Sequence, residues 1–299
     1  MCKTPGWVRW ICEHSRASPT KYTTMLQKKL LVPVDFSTCS INAVRYAVTL
    51  AKKMKGQILL MHSLNVPVTH GEIGAAAIVN ELSQGIEEDV NDSFAELIDK
   101  IPMIKEVPYD TVIKSSFITD AVLSVSKSND IDMIVMGTKG AHGLEEMVMG
   151  SNTYSVIRDI NIPVIAVPGN AEFKSVQRIV FASDYKKTAP ESLEPLLDLA
   201  RTFGAEVHVL HISPGQDITA EEMEEAKKFD RYLKNIRHHY HFTKNDNLEE
   251  SIEKYVEENN INMISLMPRK HNIFELIFGK SQSRKIILHT ELPLLALPH

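Results

Sequence analysis

The chain has 299 residues, 43% hydrophobic and 24% charged, a composition that fits a globular protein with room for two domains of about 140 residues each. A formal charge of -5 and a pI near 6.2 leave no global basic surface, which argues against nucleic acid and anionic membrane as partners. Cys2, Cys12 and Cys39 form no CxxC, and an odd number gives no disulfide framework, so the expected compartment is a reducing cytoplasm.

Residues 1–26 are expected to stand apart from the folded part as an N-terminal extension. The first 24 hold both tryptophans but neither the apolar core of a signal peptide nor a membrane span. Two readings stay open for them: a disordered tail or over-extended translation start, or a docking segment anchored by Trp7 and Trp10.

From Leu30 the pattern becomes regular. "KLLVPV" reads as a buried strand, "INAVRYAVTLAKKM" has helical period, and "GQILLMHSL" is a second strand. The helical "VNELSQGIEEDVNDSFAELIDKI" follows, then a third strand in "KEVPYDTVIKS" and further buried runs in "DMIVM" and "PVIAVP". Strands alternating with helices predict a parallel, doubly wound α/β sheet, covered on both faces because its strands are apolar almost throughout.

The pattern then repeats. "LVPVDF" lies over "VFASDY", so that Asp35 meets Asp184, and 27 residues later His62 meets His211. Residues 133–168 and 263–298 have equal length and similar endings. The chain therefore reads as two tandem doubly wound domains, 27–169 and 175–299, with the boundary in "GNAEFKSVQ".

Directly after "DMIVM", the stretch "MGTKGAHGLEEMVMGSNT" places four glycines in eighteen positions at the carboxyl end of a strand. Ligands of open α/β sheets bind at such ends, where strand order reverses. Glycine permits positive φ and close approach, and the free N–H groups of a helix starting near Gly150 attract anions. A di- or triphosphate is the natural occupant; a turn that only reverses the chain is the plainer alternative. Neither GxxxxGK[ST] nor a GxGxxG after the first strand is present.

The spacing Gly137, Gly140, Gly150, Ser151 resembles the nucleotide-binding signature of the universal stress protein family. "VPVDFS" and "IPVIAVP" are similar to that family as well, and the resemblance spans roughly residues 27 to 299. It implies a Rossmann-like domain of the adenine nucleotide α-hydrolase type that binds ATP, with Mg or Mn. It also implies roles: Asp35 at the ribose, the backbone at Pro33 and Val34 beside the adenine, Ser63 reading the base and Met136 lining the pocket. Gly137, Gly140, Gly150, Ser151, Asn152 and Thr153 would hold the phosphates. Asp35 has a structural alternative as the N-cap of the first helix, a place Ser37 can also fill.

In the second copy Met267 and Lys270 stand where the first has Gly137 and Gly140, Lys280 replaces Gly150, and Pro268 removes an N–H. Only Ser281 survives opposite Ser151. A backbone cradle is expected to fail there, leaving Arg269, Lys270, Lys280 and Arg284 as an anion patch or a solvated face. The resemblance implies that "PVIAVP" and "PLLALP" pair antiparallel, which would make the chain an intrachain pseudo-dimer and protect two apolar edges. Further homodimerisation stays open.

His238, His239 and His241 in "RHHYHF" invite a metal, but no companion ligand stands at a fitting spacing, so none is assigned. His62 and His211 recur at one repeat position, which favours packing. No nucleophile–base pair emerges, so chemistry is limited to the slow ATP hydrolysis or autophosphorylation that the family resemblance allows. The function expected is an ATP-binding, nucleotide-responsive stress regulator or protective factor; a scaffold without nucleotide, working through protein partners, is the alternative.

Overall fold

Short branched runs become strands and the amphipathic stretches between them become helices, in alternation along the chain. The computed structural model describes residues 27–64, 75–138, 149–171, 173, 175–183, 189–213, 219–244, 248–268 and 292–298. The first repeat runs β1 (Lys29–Pro33), α1 (Thr38–Met54), β2 (Gln57–Leu64), α2 (Ala75–Lys100), a 3₁₀ turn (Pro102–Glu106), β3 (Tyr109–Ser115), α3 (Ile118–Asn129), β4 (Met133–Gly137), α4 (Ser151–Asp159) and β5 (Val164–Val167). The second runs β6 (Arg178–Ala182), α5 (Pro190–Phe203), β7 (Glu206–Ser213), α6 (Ala220–Tyr232), β8 (His238–Lys244), α7 (Leu248–Glu258), β9 (Met263–Leu266) and β10 (Leu294–Ala296). The expected third strand is β3. The N-terminal extension with Trp7 and Trp10 lies outside the described residues.

The ten strands among the described residues join one sheet in the order β3-β2-β1-β4-β5-β10-β9-β6-β7-β8. Every neighbouring pair is parallel except β5 and β10, which run antiparallel with Ile165 opposite Leu295, Ala166 opposite Leu294 and Val164 opposite Ala296. Ile165 and Leu295 occupy the same repeat position. The contact is therefore isologous, as at a two-fold axis, and the expected pseudo-dimer is formed within one chain.

Because side chains alternate across a strand, each strand feeds two cores. Leu30, Val32, Val135, Ile165, Leu295, Phe181 and Val207 face α1, α2, α5 and α6; Leu31, Ile134, Met136, Val164, Leu294, Val180 and Leu210 face α3, α4 and α7. Each fully buried side chain of this kind contributes about 1.5–3 kcal/mol. Both cores cross the β5–β10 seam. On the first face Phe173 adds a bridge, its ring 4.7 Å from Tyr46 of α1 and 5.9 Å from Phe203 of α5. Lys28 adds an ion pair to Asp198 of α5 at 3.2 Å.

Candidate functional site

Strand β1 lies between β2 and β4, and the chain leaves β1 and β4 toward opposite faces of the sheet: α1 packs on one core, α4 on the other. The carboxyl ends of β1 and β4 therefore open a crevice at a switch in strand order. Most of the residues singled out in the sequence lie around it.

On the β1 side, Val34 is held at both backbone groups. Its N–H donates to the Met61 carbonyl at 2.8 Å, and its carbonyl accepts from Nδ1 of His62 at 2.7 Å. Pro33 pairs in register with Met61. Asp35 follows, exposed, with Oδ1 accepting from the N–H (3.1 Å) and hydroxyl (2.6 Å) of Ser37. Ser37, rather than Asp35, caps α1, accepting from the Ser40 N–H at 3.2 Å. Between them Phe36 sits at φ 60°, a left-handed conformation that turns its ring onto His62 (4.9 Å) and edge-on to Phe94 (5.4 Å). That reversal of the chain directs the Asp35 carboxylate outward, and the sequence reading did not single it out. Ser63, two residues beyond the level of Met61, donates its hydroxyl to the carbonyl of Ser116 after β3.

On the β4 side, Met136 is buried in the core with Leu31, Met61 and Met149. Gly137 ends the strand under the first turn of α1: a Cβ there would lie 2.9 Å from Cys39 Sγ and 3.0 Å from the Cys39 carbonyl carbon. Close approach, not positive φ, is what this position requires. Gly150 likewise has φ -61° and ψ 147° and serves as N-cap of α4 without a side-chain hydrogen bond. Its N–H donates to the Thr138 carbonyl at 2.6 Å, and the buried Thr153 hydroxyl donates to the Gly137 carbonyl at 2.7 Å. Together these bonds fix the start of α4 against the end of β4. The Thr153 hydroxyl is thereby engaged within the protein; Ser151 and Asn152 are exposed. Helical geometry gives the N–H groups of Ser151, Asn152 and Thr153 no intrahelical acceptor, and no acidic residue stands in this first turn. Gly140 lies outside the described residues.

This crevice and the doubled sheet are the setting for the comparisons. A sequence model described as the universal stress protein family matches residues 27–168 and 175–298. The chain belongs to that family. A universal stress protein of Synechocystis sp. is 22% identical over 296 residues, covering 90% of this chain and 99% of its own. One from Methanocaldococcus jannaschii is 26% identical over 147 residues, covering 48% of this chain and 82% of its own. Among solved structures, a universal stress protein from Archaeoglobus fulgidus shares the fold with a TM-score of 0.62 at 18% identity, over 90% of this chain and 97% of that one.

The two universal stress repeats part company at the crevice. Met267, buried, occupies the place of Gly137, and Pro268 that of Thr138. Thr138 donates its N–H to Val167 at 3.0 Å, a bond that a proline cannot make. Helix α5 starts at Pro190 behind Ala189, which makes no side-chain cap, three residues later in the repeat than α1. Asp184, Arg269, Lys270, Gly279, Lys280, Ser281 and Arg284 lie outside the described residues. His211 reproduces the contact of His62, its Nδ1 donating to the Ser183 carbonyl at 2.9 Å, so the recurring histidine brackets the end of the first strand of each repeat.

The histidines of β8 are engaged separately. His238 bonds Asp230 at 3.1 Å through Nε2, His239 pairs with Glu206, and the His241 ring lies 4.7 Å from that of Tyr255. Among the described residues no group of three or more His, Cys, Asp or Glu is arranged to hold a metal ion. Nor is any described helix long and apolar enough to cross a membrane.

Proposed function

We propose that the first repeat binds ATP and that the chain acts as a nucleotide-responsive stress regulator or protective factor in the cytoplasm. Some members of the family bind ATP. One observation carries the reading for this chain: an exposed carboxylate and an unacidified helix N-terminus flank one switch-point crevice. Asp35, at the end of β1, suits two ribose hydroxyls and repels phosphate, whereas the Ser151, Asn152 and Thr153 N–H groups of α4 suit phosphate. Nucleotide polarity follows, with ribose over β1 and phosphates over β4. In this reading Gly137, Gly140 and Gly150 border the phosphates, and Mg or Mn would accompany the triphosphate as its counterion. Met136 and the backbone of Pro33, Val34 and Ser63 border the nucleoside side.

In this reading the second repeat holds no nucleotide, since Met267 fills the place of Gly137. Its task is to pair β10 with β5, as a partner subunit would. Calorimetric titration of ATP with Mg into the wild type and a Gly140→Ala, Gly150→Ala double variant tests the proposal. One nucleotide per chain, lost in the variant, supports it. A folded wild type that takes up no ATP at millimolar concentration sinks it, and a scaffold working through protein partners then becomes the better reading.

A further inference from the structure

Phe117 is out of place by ordinary packing rules. It is the N-cap of α3, where a short polar side chain is favoured, yet its side chain makes no capping bond and 68% of its surface is exposed. A residue that breaks a local rule without a structural gain marks a place where function has set the choice.

Its position relative to the crevice follows from the sheet order, the β2–β3 register and one hydrogen bond. The strand order β3-β2-β1-β4 puts the end of β3 two strand spacings, about 10 Å, from the end of β1. Strands β2 and β3 continue past the level of Val34, pairing Ser63 with Lys114 and Leu64 with Ser115, so they rise as a wall beside Asp35. The Ser63 hydroxyl then holds the Ser116 carbonyl, which places Phe117 on the rim of that wall. Helices α3 and α4 pack against the same core and both begin at this end of the sheet, so the two N-termini flank one opening.

Those N-termini differ in charge. The first turn of α4 holds no acidic residue, while that of α3 holds Asp120. A phosphate chain is drawn to α4 and turned away from α3. With the ribose at Asp35, the base must extend to the opposite side from the phosphates, toward β2, β3 and Phe117.

We infer that Phe117 is the stacking platform for the nucleobase, closing the purine side of the site from the β3 rim. The inference rests on the nucleotide reading above and adds to it a residue that contributes affinity for the base. A flat aromatic face accepts any base, so selectivity for adenine over guanine falls to the backbone near Ser63, and Phe117 supplies affinity.

The test is calorimetric titration of Mg-ATP and of inorganic tripolyphosphate into wild type, Phe117→Ala and Phe117→Trp. Alanine caps no better than phenylalanine, so the helix start is left as it is. Loss of a base–aromatic stack predicts ATP binding weaker by about 5- to 150-fold in Phe117→Ala. Tripolyphosphate affinity should be unchanged and Phe117→Trp should keep ATP binding. Equal ATP affinity in wild type and Phe117→Ala overturns the stacking role and leaves ATP binding standing. Parallel loss of ATP and tripolyphosphate overturns it too, since the effect then lies in the helix and not in the base. A wild type that binds no ATP fails the nucleotide reading itself, a result distinct from the other two.

Discussion

The two repeats have the same strand order, the same histidine-to-carbonyl contact and equivalent residues at the seam, yet they differ at the end of the fourth strand, where Met267 and Pro268 stand in place of Gly137 and Thr138. In the first repeat Gly137 lets the opening turn of α1 lie against β4; in the second, Met267 stands at that position and α5 starts three residues later. The core accommodates the methionine, since Met267 is buried within it. On the function proposed above, a phosphate crevice built from backbone does not tolerate it. The comparison teaches that the fold and the site depend on different parts of the sequence.

The strongest way to break the comparison is at the seam that joins its two halves. Leu295 is fully buried opposite Ile165, so Leu295→Ala should lower unfolding free energy by about 2–5 kcal/mol, read by urea denaturation. A loss below about 1 kcal/mol would mean that the antiparallel pairing contributes little to cohesion.

Making the first repeat resemble the second is the next test. Gly137→Met drives a side chain into Cys39, whose backbone sits at contact distance, and should cost about 1–3 kcal/mol while abolishing nucleotide binding. Unchanged stability would show that the first turn of α1 can move away from β4. A smaller effect is expected from Ser37→Ala, about 1 kcal/mol, through the lost cap of α1 and the lost partner of Asp35. Because α5 has no side-chain cap, Ala189→Ser in the second repeat should move stability the opposite way.

The smallest effect concerns pH and lies in the second repeat. Burial holds the His208 pKa below its ordinary value; the nearby Glu206 opposes this, and His239 and Arg178 add to it. The unfolded chain therefore takes up this proton first as pH falls through about 6.5. Stability from His208 is present above that pH and is lost below it, with a slope of at most about 1.4 kcal/mol per pH unit. His208→Asn should flatten the fall in unfolding free energy between pH 7 and pH 5. An unchanged profile would assign the slope to other groups.

Much of this protein was legible in its sequence because the signals were periodic or repeated. Alternating strand and helix patterns, the Asp35 and Asp184 register, and the matching ends at residues 133–168 and 263–298 fixed two doubly wound halves. Burial on both faces of a parallel sheet enforces such patterns over many residues, so no single position carries them. Tertiary structure decided what hung on one atom or one angle. That Ser37 and not Asp35 caps α1, that Gly137 serves close approach, that Thr153 is turned inward, and that Phe36 reverses the chain at φ 60° all depend on neighbours distant in sequence. Phe117 shows the same limit: in the sequence it is one more apolar residue near a strand, and only the juxtaposition of β2, β3 and α3 leaves it exposed at the rim. Sequence specifies which surfaces must be buried, while contact across the sheet specifies which of the remaining groups meet in one crevice.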